Sequence, residues 1–198
     1  MSLSPSFDHD LTAQQFVTSV SDATAPSPFA GVRYVFGRLD QKTFAMDTRL
    51  NMTFTPNLTL QLFAQPFIAS GSYTSFKEFK EARSRRMTFY GRDNGSTVTK
   101  TTDSQSGRVS SYSVDPDGPG VAPAFSFDNP NFNFTSLRGT GVLRWEYRPG
   151  STLYFVWTQQ RDGSDTLGDF DFQRDRSALF RQRPTNVFQI KGTYWIGR

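Results

Sequence analysis

Side chains in this chain alternate apolar and polar with a period of two, in segments of roughly 10–12 residues, and that pattern restricts the fold more than any other feature. A helix would scatter such residues around its axis, whereas a strand sends successive side chains to opposite faces. From Thr43 to Thr55 one face carries Phe44, Met46, Leu50, Met52 and Phe54, and the other carries Asp47, Arg49, Asn51 and Thr53. A turn at Thr55-Pro56-Asn57 leads into a second strand, which sets Leu58, Leu60, Leu62 and Ala64 against Thr59, Gln61 and Gln65. The arrangement recurs around Arg148-Pro149-Gly150-Ser151, where Pro and Gly suit the central positions of a tight turn. Leu137, Leu143, Trp145 and Tyr147 precede that turn on the apolar side, opposite Arg138, Thr140, Arg144 and Glu146. Leu153, Phe155 and Trp157 follow it. A last segment opposes Phe188, Ile190, Tyr194 and Ile196 to Gln189, Lys191 and Thr193.

These segments match the length of a tilted strand that crosses a bilayer, and their connections are short at one end and long at the other. Polar faces carry charges at mid-strand, and apolar faces end in aromatics, as interface girdles do. The pattern predicts an all-β fold: an antiparallel transmembrane β-barrel, or the C-terminal segment of one, with short periplasmic turns and long extracellular loops. It is read as one unit over 1–198. Residues 1–31 form a partial strand and loop, 32–69 and 132–198 the membrane strands, and 70–131 a long extracellular loop region. The segment from Leu11 to Thr18 is read as the end of an outgoing strand, Val32–Phe36 as the start of the strand through Thr43, and Ser21–Gly31 as a loop. About six membrane strands result. Closed barrels of this kind begin at eight, so N-terminal strands missing from the chain are expected to complete it, and the chain is read as a fragment.

Composition removes several alternatives. With 15% aromatic residues, among them 20 Phe, the chain is no disordered tract. It has no cysteine, which excludes disulfide scaffolds, thiolate zinc sites and cysteine nucleophiles. The +4 charge is spread along the chain, and the one basic run, Arg83-Ser84-Arg85-Arg86, reads as a solvated loop rather than a nucleic-acid site. No run is long and apolar enough for a spanning helix, and the first residues do not read as a signal peptide.

No catalytic constellation and no cofactor motif appears, and no metal site is expected. Asp8-His9-Asp10 reads as a polar strand end or loop, and Asp115-Pro116-Asp117-Gly118-Pro119-Gly120 as a turn that lacks the distal glutamate of a calcium loop. Asp162, Asp165, Asp169, Asp171 and Asp175 are interleaved with Arg161, Arg174 and Arg176, so ion pairing is the expected outcome. A glycosidase needs two carboxyl groups held across the sugar, and Glu78, Glu81 and Glu146 give no such pair. Glu78 and Glu81 are read as part of a helical or irregular loop stretch. The informative polar set is lumen-lining: Asp47, Arg49, Arg138, Arg144, Glu146 and Lys191, acting as an ion-pair ladder or as a selectivity lining for anionic or polar solutes. Tyr73, Phe76, Phe79, Phe125 and Phe127 are loop aromatics, which pack together or stack on sugars. The rival fold is therefore a secreted or periplasmic carbohydrate-binding β-sandwich. A possible further hairpin pairs Met87–Tyr90 with Val109–Tyr112.

The blocks Arg33–Gln41, Phe63-Ala64-Gln65-Pro66-Phe67, Leu143–Ser151, Gly168-Asp169-Phe170 and Lys191–Trp195, together with Ser6–Asp10, resemble the C-terminal barrel domain of the bacterial family known as domain of unknown function 5916. The resemblance covers nearly the whole chain. It implies an outer-membrane barrel that follows a module resembling family 9 carbohydrate-binding domains, a module this chain does not contain. The expected role is anchoring, or passing solutes for, that glycan-handling module. The expected partners are outer-membrane lipid, the barrel assembly machinery and the absent strands and module. Membership of a glycoside hydrolase is the remaining alternative by family association. The chain departs from the usual barrel pattern in its Trp195-Ile196-Gly197-Arg198 ending, where an aromatic is common.

Overall fold

The computed structural model describes residues 1–26 and 29–197, so Ser27, Pro28 and Arg198 lie outside the described residues. In chain order the elements are β1 (Ser2–Ser21), β2 (Val32–Thr55), β3 (Leu58–Phe79), β4 (Met87–Phe89), β5 (Thr97–Thr102), β6 (Val109–Asp115), β7 (Phe125–Asp128), β8 (Phe132–Arg148), β9 (Ser151–Asp165), α1 (Phe172–Arg181) and β10 (Thr185–Thr193). Six long strands pair antiparallel in the order β1-β2-β3-β8-β9-β10, and β4 adds to the loop end of β3. The sheet is open, with β1 and β10 as its edges. A second sheet, β5-β6-β7, is folded from the connection between β3 and β8.

The pairing register places both tight turns at one end of the large sheet. Leu58 lies opposite Trp145, and the Glu146 amide donates to the Asn57 carbonyl at 2.8 Å, so the β2–β3 and β8–β9 turns are neighbours. The connections β1–β2, β3–β8 and β9–β10 all lie at the far end, as the alternation of lengths predicts. At the β8–β9 turn Gly150 takes φ +76°, the left-handed region that a Pro-Gly central pair supplies.

Several boundaries differ from expectation. Residues 1–31 hold a 20-residue strand rather than a partial one, because β1 finds partners along β2 from Ser2↔Arg49 to Ser21↔Val32. Residues 70–131 are not a loop throughout. β3 continues to Phe79, and the rest holds the small sheet. Met87–Tyr90 and Val109–Tyr112 do not form a hairpin: β4 pairs with β3, and β6 with β5 and β7. Residues 132–198 include a helix as well as strands. The Asp171 carboxylate caps α1 by accepting from the Arg174 amide at 2.9 Å, and Asp175 accepts in turn from the Asp171 amide. The helix packs against β8 and β9, and Leu179 is buried.

Candidate functional site

Because paired residues share a face, the register sorts every side chain of the large sheet. One row across it reads Asp47, Gln65, Arg138 and Gln160, with Asp47 accepting from the Gln65 amide at 2.8 Å. The next reads Arg49, Phe63, Thr140, Thr158 and Val187, and a later one Thr59, Arg144, Tyr154 and Lys191. All six charged residues singled out from the sequence, Asp47, Arg49, Arg138, Arg144, Glu146 and Lys191, therefore fall on one polar face. Arg144 and Glu146 pair at 3.0 Å, and this is the one ion pair within that set among the described residues. The Arg49 guanidinium sits 5.5 Å from the Phe63 ring centre. Between these groups runs a groove of about 490 Å³ lined by Arg49, Asn51, Gln61, Phe63, Thr140 and Val142.

The opposite face is apolar and open. Met52, Leu60, Leu143, Phe155 and Ile190 form one row, and Leu50, Leu62, Gly141, Trp157 and Phe188 the next. Phe54, Trp145, Phe155, Trp157, Phe188 and Ile190 are among the exposed large apolar side chains, and all lie on this face. On β2 its apolar stretch, interrupted by Thr48, runs from Phe54 to Phe44 and stops at Lys42 and Asp40, where the Asp40 carboxylate accepts from Nε2 of His9 in β1 at 2.8 Å. On β9 and β10 it stops sooner, at Gln159, Arg161 and Asn186, so its boundary slopes across the strands. Arg161 there donates to the Phe180 carbonyl at the C-terminal end of α1.

A third feature lies on the polar-face side of the loop end. Arg33 donates from Nε to Asp22 and from Nη1 to Glu78 at 2.6 Å, and all three side chains are buried. Glu78 is thus in β3 rather than in a helical or irregular loop, with Tyr90 buried nearby. Burial pushes the Asp22 carboxyl up, but hydrogen bonds from Thr24 and Arg33 outweigh it and hold it below the usual value. Burial raises Glu78, and Arg33 offsets only part of the effect. A cleft of about 230 Å³ opens beside the network, lined by Arg33, Glu78, Lys80, Thr88, Asn94 and Asp117. No local pattern announces this network, because Arg33 and Glu78 are 45 residues apart.

The remaining candidates resolve into structure. In β1, Asp8 and Asp10 point to the face opposite His9, so the three do not converge. The Asp115 carboxylate accepts from the Gly118 amide at 2.8 Å and Gly118 takes φ +65°, which makes the segment a turn. Arg174 pairs with Asp169 at 2.7 Å and Asp175 at 2.9 Å, and Arg108 with Asp165 at 2.7 Å. Phe76, Phe125 and Phe127 are buried in one aromatic core with Tyr112, Tyr73 packs against it, and Phe79 meets Phe36 edge-on. Glu81 pairs with Arg86 at the surface.

The architecture is thus that of an all-β protein built on one open antiparallel sheet with two chemically opposite faces. Over residues 1–197 the chain matches the family described as domain of unknown function (DUF5916), and it belongs to that family. No curated protein and no solved structure matches it.

Proposed function

We propose that this chain forms part of an outer-membrane β-barrel of a diderm bacterium, with its apolar face toward lipid and its polar face toward the lumen. One observation carries the reading: most of the large exposed apolar side chains of the six long strands line one face of the sheet, whose other face carries the mid-strand charges. Soluble monomers rarely leave so continuous an apolar surface open. The chain exposes 12693 Å², against about 9,400 Å² expected for a compact monomer of 22.4 kDa. No helix among the described residues is long and apolar enough to span a membrane, so strands are the elements that would cross. The apolar stretch on β2, Phe44 to Phe54, suits a strand tilted through a hydrocarbon core, and its sloping boundary suits tilted strands.

Further strands, from a longer chain or another one, pair with β1 and β10 and close the sheet, since lipid does not tolerate free strand edges. The barrel anchors, or passes solutes for, a glycan-handling module outside this chain, and the assembly machinery inserts it. The polar face carries Arg49, Arg138, Arg144 and Lys191 beside Asp8, Asp10, Asp47, Glu146 and Asp162, so its charges are of both signs and it suits polar solutes in the lumen. Trp145 and Trp157, two of the three tryptophans, lie on the apolar face and report the test. After reconstitution in vesicles, lipids brominated on their acyl chains should quench their fluorescence. Unquenched emission from folded protein, or a monodisperse fold without detergent, overturns the reading.

A further inference from the structure

Above Thr43 the polar face of the large sheet changes character. Its positions there are Val35, Gly37 and Leu39 on β2 and Gly71 and Tyr73 on β3, with Phe132 opposite Gly71 on β8. A β-carbon on Gly71 would lie 2.6 Å from Phe132 Cζ, and one on Gly37 3.1 Å from Tyr73, so these side chains already fill that level of the face. The small sheet seats on it. Val35 and Phe76 of the large sheet join Tyr112, Val114, Phe125 and Phe127 in one buried core, with Phe76 and Phe127 ring centres 5.0 Å apart. The same unit reaches across to the loop end of β9, where Arg108 grips both oxygens of Asp165 at 2.7 Å and the Asn129 amide reaches the Thr166 carbonyl at 3.5 Å. It is therefore seated on the polar face of β2–β3 and tied across the loop end to β9, through Asp165 on the other face of that strand and the Thr166 backbone beyond it.

We infer that residues 80–131 form a stopper that closes the polar groove at the loop end, so that solutes reach the groove only from the end with the tight turns. The inference rests on the barrel reading and adds direction to it: the lumen is a one-ended vestibule and not a through pore. Apolar filling at Leu39, Gly71 and Phe132 separates the stopper from the hydrated rows below, which begin near Asp47 and Arg138. A through pore would instead keep polar, unfilled positions along the whole face.

The chain contains no cysteine, so single cysteines can be introduced without background. The test adds a membrane-impermeant maleimide to cells that express the full-length protein, first intact and then permeabilised. Thr101→Cys, exposed on the small sheet, should label in intact cells and so mark the loop side as outward. Thr140→Cys, in the polar groove, should lose that labelling and regain it only after permeabilisation. Labelling of Thr140→Cys in intact cells alongside Thr101→Cys overturns the stopper. Leu143→Cys, on the apolar face, checks the underlying reading on its own: it should stay unlabelled in both states, and ready labelling there overturns the membrane assignment instead.

Discussion

At Arg33 one guanidinium answers two carboxylates from different segments, and the arrangement makes its neighbours sensitive to substitution and to pH. Removing one partner from a buried pair leaves the other charge uncompensated, at about 3–5 kcal/mol. Asp22→Asn leaves Arg33 paired with Glu78 alone and is therefore expected to destabilise the loop end at neutral pH by less than that. Because its hydrogen bonds depress the folded pKa of Asp22 below the ordinary 3.8, its contribution is present above that value and is lost as pH falls through the folded pKa. Denaturant unfolding of wild type and variant should give curves that converge as the solution is acidified; a constant gap would reject the depressed carboxyl. Gly71 makes a second, purely steric case. Gly71→Ala would press a methyl group against Phe132 and Leu39, at about 1–3 kcal/mol of overpacking. Phe132→Leu in the same chain should recover much of the loss, measured in the same unfolding experiment.

Among the elements, β8 offers the sharpest comparison, since adjacent positions meet different surroundings. If its apolar face meets lipid, Leu143→Arg costs about 2–4 kcal/mol near the bilayer midplane, whereas Thr140→Arg on the polar face is much milder. Reversible unfolding in lipid vesicles measures both, and equal penalties would reject the assignment of faces. Helix α1 is a smaller element whose start depends on one side chain. Asp171→Ala removes the acceptor for the Arg174 amide, at about 0.5–2 kcal/mol, and should speed hydrogen exchange in Phe172–Arg181 first. The strand faces were legible from sequence because alternation is local and strict. The helix was not: ten residues with three arginines among them carry little apolar periodicity, and its stability comes from the Asp171 cap and from packing Leu179 against the sheet.

For the whole molecule, the open sheet sets the expectation. Each lipid-exposed edge leaves unpaired backbone groups that cost several kcal/mol apiece, so residues 1–198 refolded alone should not yield stable monomers of uniform conductance. Single-channel recording on the purified chain checks this, and uniform openings from monodisperse monomers would show that six strands suffice. Addition of the strands that pair with β1 and β10 should bring monodispersity, because they satisfy the edges without changing either face.

The sequence by itself determined the cores of β2, β3, β8, β9 and β10, the two tight turns, their common end of the sheet and the sharing of one face by Asp47, Arg49, Arg138, Arg144, Glu146 and Lys191. Each of these follows from a period of two and from turn residues acting within a few positions. Only the tertiary structure decided that Arg33 meets Glu78 across 45 residues, that Glu78 is buried in a strand, and that Phe76, Phe125 and Phe127 form a core rather than an open surface. Those outcomes depend on which distant segments pack together, and long-range packing leaves no periodic trace in the residues that take part.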